Sequence, residues 1–225
     1  MADMKWDPFS ADVWHISDQT EQLLELHHQC ARTTSNPEQS FRLIAVHCEI
    51  VARLALLLAN QSNTEPSHTL IVGALAHDIG TYSVLDEEHL GAGIEPIFQR
   101  DIYIQHGVRG YELLRNEGFS TELAAFARNH TGVGITREEC VKSQLPLEPA
   151  DYMPRTVYEE LVMLADKFHT KSMPPRFVRT VTARARCEKF GAENLQRWDT
   201  LVACYGVPSE HDLAQLAEQY GMGII

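Results

Sequence analysis

The stretch that decides the fold is SHTLIVGALAHDIG, residues 67–80, which is typical of an apolar helix with polar groups at its end. Ser67 is suited to cap the start of this helix, because its hydroxyl can accept from the first free backbone N–H groups. Gly80 is suited to end it, because glycine tolerates the backbone conformations that follow a helix. The helix therefore presents His77 and Asp78 side by side at its C-terminal end.

The preceding helix is predicted to begin at Asn36 and to run to about Gln61. Asn36 can cap it, Pro37 suits its first turn, and Gln39 can reach back to the cap. His47 lies on the apolar face of this helix. The apolar residues of that face are Leu43, Ile44, Ile50, Val51, Leu54 and Leu58.

Helical signals continue through the rest of the chain. Residues 81–102, with Gly91, Gly93 and Pro96, are predicted to form a loop. No sustained alternation of apolar and polar residues indicates a strand, so we predict an all-α fold. Further helices are predicted from about Ile104 to Asn116, after Ser120, at Thr136 and Thr156, from Arg176 to Gly191, and from Glu193 to the C-terminus.

The chain has 225 residues, which suits one domain or one domain with an appendage. Residues 1–35 contain one predicted helix, from about Gln19 to Arg32. We expect them to form an N-terminal helical arm packed outside a main domain of residues 36–225, which includes the C-terminal helices.

The formal net charge is −12, and a field of that sign repels nucleic-acid backbones and anionic lipids. We therefore expect no nucleic-acid partner and no membrane partner. A phosphate substrate is harder to reconcile with this charge, unless bound divalent cations reverse its sign locally.

The five cysteines are an odd number and form no C-x-x-C pair, which favours reduced thiols in a cytoplasmic protein. The first ten residues, MADMKWDPFS, lack the basic and apolar segments of a signal peptide. No apolar stretch is long enough to span a bilayer.

Four residues stand out as candidate metal ligands: His47, His77, Asp78 and Asp166. A histidine on an apolar helix face and an aspartate after the apolar run LVMLA, residues 161–165, both need a buried partner. Imidazole and carboxylate together suit divalent transition ions. Taken singly, however, such a histidine is more often a hydrogen-bonded core residue, and such an aspartate more often a surface or capping residue. The signal lies in the order of the residues along successive helices.

That order resembles the HD superfamily of metal-dependent phosphohydrolases. The motifs that carry the resemblance are HCEIVARLA beginning at His47, ALAHDIG ending at Gly80, and VMLADKF around Asp166. The likeness covers roughly residues 40–190, and HDIG is its most specific part. It implies an HD-domain helical bundle in which His47, His77, Asp78 and Asp166 bind a metal.

Two further motifs resemble those of the binuclear branches of this superfamily. These branches include helical bacterial diadenosine tetraphosphate hydrolases and HD-GYP cyclic dinucleotide phosphodiesterases. The two motifs are QHGVRGYELL, which contains His106, and FARNHTG, which contains His130. The resemblance implies that His106 and His130 hold a second metal and that Asp78 bridges the two. The chain as a whole is most similar to small uncharacterised HDIG proteins of prokaryotes.

Two departures from those branches bear on the substrate. The chain has the sequence TGVGITREE, residues 131–139, where the HD-GYP branch has its GYP motif. This difference argues against cyclic di-GMP as the substrate. Thr81 follows the HDIG glycine, where many relatives have a lysine. A phosphate contact from a lysine at that position is therefore not expected.

The resemblance implies hydrolysis of a phosphate ester or anhydride, in a nucleotide or another small metabolite, by attack of a metal-bound hydroxide. Asp78 would be the catalytic residue, as ligand and template. One or two divalent ions are expected, with Fe, Mn, Zn, Ni and Mg all compatible with the ligands. Arg109, Arg137 and Lys167 are candidates for binding the substrate phosphate, although a solvated surface charge is the more common role for each. The oligomeric state stays open, with a homodimer among the options.

Two other functions fit the same residues. The domain could be a nucleotide-binding regulatory module without turnover, although such a module has no need of six metal-type residues. It could also be a di-iron oxygenase, since some HD relatives use histidines and aspartates in that chemistry.

Overall fold

Helices dominate the computed structural model, which describes residues 11–92 and 97–225. The all-α prediction is confirmed, with the addition of three short 3-10 segments and a minor sheet. The helices are α1 Ala11–Trp14, α2 Asp18–Arg32, α3 Pro37–Gln61, α4 His68–Ala76, α5 Glu87–Ala92, α6 His106–Asn116, α7 Thr121–Asn129, α8 Arg137–Lys142, α9 Val157–Ala165, α10 Thr180–Glu188, α11 Ala192–Tyr205 and α12 Glu210–Tyr220.

Helix α3 is the centre of the fold, and α2, α4 and α9 pack around it. Its start matches the sequence prediction, since the Asn36 side chain accepts from the Gln39 backbone N–H at 3.3 Å. Sixteen of its 25 residues are buried, which is why its apolar side chains are not confined to one narrow face. This burial places His47, near the middle of α3, deep inside the bundle.

Helix α2 shares the core with α3. Its buried Leu23 and Leu26 belong to the same apolar cluster as Ile44 and Leu54 of α3. The division of the chain into an arm of residues 1–35 and a main domain therefore stays a prediction, and the described part of that arm is packed on the bundle.

The predicted loop of residues 81–102 is more ordered than expected. A 3-10 segment, Ile79–Val84, begins with the last two residues of the HDIG motif, and α5 follows it. The sequence missed the 3-10 segment because its conformation depends on burial of Ile79 and Tyr82 between α3 and α6 rather than on local propensity. Gly93 and Pro96 of the predicted loop lie outside the described residues, as does the N-terminal segment MADMKWDPFS.

The region after α9 also differs from the prediction, in which the next helix begins at Arg176. A 3-10 segment, Asp166–Phe168, leads into strand β1 (His169–Thr170), which pairs antiparallel with β2 (Arg176–Phe177). Strand β3 (Gly223–Ile224), at the C-terminus, pairs parallel with β2. This small sheet begins where α9 ends, so it holds the C-terminal segment beside Asp166. Helix α10 begins only at Thr180.

No helix in the described ranges combines the length and the hydropathy that a membrane crossing requires.

Candidate metal centre

Six side chains from five helices converge, and five of the six lie at or next to a helix end. His47 comes from within α3, the His77–Asp78 pair follows α4, and His106 is the first residue of α6. His130 follows α7 directly, and Asp166 follows α9. Five of the six are at most 3% exposed, and the Asp166 side chain is 12% exposed. The structure thus brings together all six residues that the resemblance implied as ligands.

Three of the histidines are oriented by the same backbone contact. The Nδ1 atoms of His77, His106 and His130 each lie within 2.6–2.8 Å of the carbonyl oxygen three residues earlier in the chain. A carbonyl can only accept, so each Nδ1 carries the proton and donates it. Each Nε2 is then left with a free lone pair, which is the form of histidine that binds metals.

His47 is oriented differently, by another histidine. Its Nδ1 lies 2.9 Å from Nδ1 of His169, whose Nε2 lies 3.3 Å from the Met222 sulfur. If His169 donates to the sulfur from Nε2, its Nδ1 accepts the Nδ1 proton of His47. The Nε2 of His47 is then free to face Asp166 Oδ1 at 3.0 Å and Asp78 Oδ2 at 3.4 Å.

The carboxylate of Asp78 faces two groups of histidines. Its Oδ2 lies on the side of His47, and its Oδ1 lies 3.6 Å from Nε2 of both His106 and His130. Thr81 donates its hydroxyl to Oδ1 at 2.6 Å. Two three-residue groups could therefore each hold a metal ion, one with His47 and His77 and one with His106 and His130, and Asp78 belongs to both.

The arrangement of nitrogen atoms fits bound cations. The Nε2 atoms of His106 and His130 lie only 3.0 Å apart, although both imidazoles use their Nδ1 proton elsewhere. Two lone pairs at that distance repel unless a positive charge lies beside them. Two nitrogen ligands at about 2.1 Å from one ion would be separated by about 3.0–3.4 Å, depending on the angle at the ion. The buried Nε2 of His77 has no hydrogen-bond partner within the described ranges, which also fits a ligand atom.

The electrostatics of the cluster favour positive charge. Burial lowers the pKa of His47 to about 4 and that of His106 to about 3, so both are neutral near pH 7. Burial opposes ionisation of Asp78, but nearby Lys171 still holds the pKa of that carboxyl well below its ordinary value. Burial likewise lowers the pKa of His77, yet the Cys48 sulfur and the Asp166 carboxylate together raise it to about 10. The neutral His47 and His106 beside the ionised Asp78 have the protonation states that a divalent metal requires, whereas His77 carries a proton that it would release on binding an ion.

Sequence reasoning missed His169, and it noted Lys171 only as a lysine that follows Asp166 in the chain. His169 had no motif setting, and the strand pairing that turns it toward His47 is visible only in three dimensions. The Lys171 ammonium forms a buried ion pair with Asp78 Oδ2 and lies 3.5 Å from His47 Nε2. Its position five residues after Asp166 was the only signal in the sequence.

A cleft of about 300 Å³ opens onto the cluster beside Asp166. Gly132 and Val133, which follow His130, form one part of its wall, and α10 and α11 form another. Its polar and aromatic lining includes Tyr103, Asp166, Lys167, Lys171, Arg186 and Phe190.

The three predicted phosphate-binding residues are placed differently. Lys167 lines the cleft, with its Nζ 2.7 Å from Asp166 Oδ2. Arg109 lies on another face, where its guanidinium donates to Gln105 and to the Ser83 carbonyl. Arg137 is exposed at the start of α8, where its backbone N–H is bonded to Asp151. Neither arginine lines the cleft, so the geometry does not favour their predicted role, and the role of Lys167 stays a prediction.

Comparisons with known proteins agree with this site. The HD domain family matches residues 44–171, which is more than half of the chain and spans the ligands from His47 to Asp166. A solved structure with the same fold is the HD domain of the phosphodiesterase PgpH of L. monocytogenes, at a TM-score of 0.50 and 15% identity, covering 87% of this chain and 94% of that one. The same domain has been solved in complex with cyclic-di-AMP, and its identity to this chain is 14%. At such low identity these matches speak for the fold alone.

Two of the sequence relatives come from archaea. An uncharacterised protein of Methanocaldococcus jannaschii is 36% identical over 134 residues, which are 57% of this chain and 68% of that protein. A tRNA (cytidine(56)-2'-O)-methyltransferase of Thermoplasma volcanium is 33% identical over 120 residues, which are 53% of this chain but only 30% of the enzyme. The match to the methyltransferase covers a minor part of it. The family match over residues 44–171, together with the converging histidines and aspartates, shows that the chain belongs to the HD domain family.

Proposed function

We propose that this chain is a metal-dependent phosphohydrolase that cleaves a phosphate ester or anhydride of a nucleotide or another small metabolite. The observation that carries the proposal is the position of Asp78. Its two carboxylate oxygens face two separate groups of buried histidines, and the cluster opens into a cleft lined by cations.

The residues that would hold two divalent ions follow from the geometry. His47, His77, Asp78 and Asp166 form one set, and Asp78, His106 and His130 form the other. Bound ions would supply a water nucleophile of lowered pKa and neutralise charge on the phosphoryl oxygens. Nitrogen and oxygen donors suit Fe, Mn, Zn or Ni, and Mg is also compatible with the carboxylates.

The chain's own residues would bind and orient the phosphate. Lys171 pairs with Asp78 Oδ2 and also lines the cleft, so its ammonium would be placed to donate to a phosphoryl oxygen when Asp78 binds an ion. Lys167 lines the same cleft beside Asp166. Tyr103, whose ring centroid lies 4.8 Å from that of His106, also lines the cleft.

The test is a metal-dependence assay. Protein stripped of metal and reloaded with Mn, Fe, Zn, Ni or Mg is screened against phosphomonoesters, dinucleoside polyphosphates and cyclic dinucleotides. Turnover is expected to require metal and to fall at least about 1,000-fold in Asp78→Asn, because both groups lose their shared ligand. The control is Asp199→Asn, on an exposed surface pair with Arg184, and it should retain full activity.

Other outcomes point to the other functions. Saturable nucleotide binding with no turnover under any metal would replace the proposal with a regulatory module. Consumption of dioxygen by the iron-loaded, reduced protein would replace it with an oxygenase.

A further inference from the structure

One wall of the cleft beside the cluster comes from outside the family match. Helices α10 and α11 lie beyond residue 171, the last residue of that match. We call these two helices and the turn between them the C-terminal hairpin. Asp166 and Lys171 line the cleft from the family core, and Arg186 and Phe190 line it from the hairpin. The hairpin is therefore placed to contact whatever part of a substrate extends from the metal cluster.

Arg186 is a cation in this cleft that pairs with no other described residue. It is exposed on α10, and no ion pair or hydrogen bond joins it to another residue within the described ranges. Arg184, on the same helix, instead lies 3.5 Å from Asp199 and does not line the cleft. A free guanidinium offers a planar pair of donors that match a phosphate group.

Phe190 is a large apolar side chain on the same wall. It is 76% exposed, although it lies four residues after Arg186 and lines the same cleft. Single exposed apolar residues are common on protein surfaces. This one differs from Val181, which is 71% exposed on α10 but lies outside the cleft. An exposed ring at the wall of a polar cleft offers a face on which a planar group can stack.

The charge of the cleft contrasts with that of the whole chain. Three cations, Lys167, Lys171 and Arg186, line it beside one carboxylate, Asp166. The chain as a whole has a net charge of −12, so this concentration of positive charge favours an anionic ligand locally. A cleft of about 300 Å³ lies at the small end of the usual range for ligand sites, which favours a small ligand.

We infer that the C-terminal hairpin sets substrate specificity by recognising a small phosphate ester that carries a planar aromatic group, such as a nucleoside monophosphate. Arg186 contacts the phosphate end, and Phe190 stacks on the aromatic group. The inference rests on the proposed function for its biological meaning, but the binding it describes can be measured without turnover.

The experiment measures equilibrium binding to full-length protein kept free of metal with a chelator, by calorimetry or ligand-observed NMR. Three probes separate the two contacts: adenosine monophosphate, ribose 5-phosphate and adenosine. Arg186→Ala should weaken the two phosphate probes roughly 5- to 20-fold and leave adenosine unchanged. Phe190→Ala should weaken the two adenine probes about 5- to 100-fold and leave ribose 5-phosphate unchanged, and Phe190→Trp should restore binding.

The matched controls are Arg184→Ala and Val181→Ala, on the same helix but outside the cleft, and both should bind all three probes as the wild type does. Equal losses for all probes, no loss for any, or no saturable binding of adenosine monophosphate at millimolar concentration would overturn the inference. A change in oligomeric state with unchanged binding would overturn it too, and would mark Phe190 as a contact between copies. Because metal is absent, failure of phosphate hydrolysis in the metal-loaded protein is a separate result that bears only on the proposed function.

Discussion

Gly80 lies in direct contact with the backbone at the start of α6, where His106 begins that helix. A methyl group on Gly80 would overlap the carbonyl oxygen of His106 and would lie 2.7 Å from the Cα of Gly110. Because both obstacles are backbone atoms, neither can move without displacing α6. The last residue of the HDIG motif therefore sets the distance between the His47–His77 group of candidate ligands and the His106–His130 group.

Substitution of Gly80 by alanine should displace α6 and with it His106. We expect a loss of about 1–3 kcal/mol in the free energy of unfolding, as for other overpacked sites. The His106–His130 group should lose more metal affinity than the His47–His77 group does. Urea unfolding and metal titration measure both effects. Gly223→Ala, where an added methyl group meets no atom within 4 Å, is the matched control, and an equally stable Gly80→Ala variant would contradict the contact.

His169 should act as a positioning residue for His47, although it is not a ligand itself. Its Nδ1 lies 2.9 Å from Nδ1 of His47 and fixes which nitrogen of His47 faces the cluster. We expect His169→Leu to weaken metal binding about 10- to 100-fold, the usual cost of losing a residue that orients a ligand. His169→Asn keeps an acceptor near that position and should recover part of the affinity. The exposed His211→Ala is the control, and unchanged affinity in His169→Leu would refute the role.

Removal of His106 or His130 should distinguish one metal site from two. Each belongs to the second group only, whereas Asp78 belongs to both. We expect His106→Ala and His130→Ala to lower the bound metal from two ions to one per chain, with the fold retained. Metal analysis after equilibrium dialysis provides the count, and His89→Ala, on a partly exposed histidine paired with Asp86, is the control. A wild-type content of one ion, unchanged in these variants, would mean that the second group is not a metal site.

Much of this fold could be predicted because its signals are local. The caps at Asn36 and Thr136 and the apolar run before His77 each depend on a few neighbouring residues, and the structure has helices at all three places. The 3-10 segment after Asp78 and the strand at His169 could not be predicted, because burial and pairing with distant residues determine both.

The candidate site divides in the same way. His106 and His130 could be named as candidates from their sequence motifs, and the structure places them beside Asp78. Metal binding by these two histidines stays a prediction. Arg109 was selected because it lies one turn after His106. That spacing could not reveal that Gln105 and the Ser83 carbonyl hold its guanidinium on another face.

Lys171 provides the sharpest test of the link between metal and phosphate. Its ammonium is buried against Asp78 Oδ2, and although burial opposes the charge, Asp78 and Tyr103 raise the pKa of Lys171 above its ordinary value. A metal ion at Asp78 must therefore displace a charged competitor. Lys171→Met should bind Mn²⁺ more tightly than the wild type does, while its metal-free form should be about 3–5 kcal/mol less stable because Asp78 is left unpaired.

The same variant should lose phosphate binding, because the displaced ammonium is then missing from the cleft. We expect kcat/KM for phosphate esters to fall roughly 10- to 100-fold even with metal saturating. The control is Lys142→Met, on an exposed lysine of α8, which should change neither quantity. A purely structural ion pair would give weaker Mn²⁺ binding in Lys171→Met and unchanged kcat/KM once metal is saturating. Tighter metal binding combined with poorer turnover is therefore the result that only a shared role in both can produce.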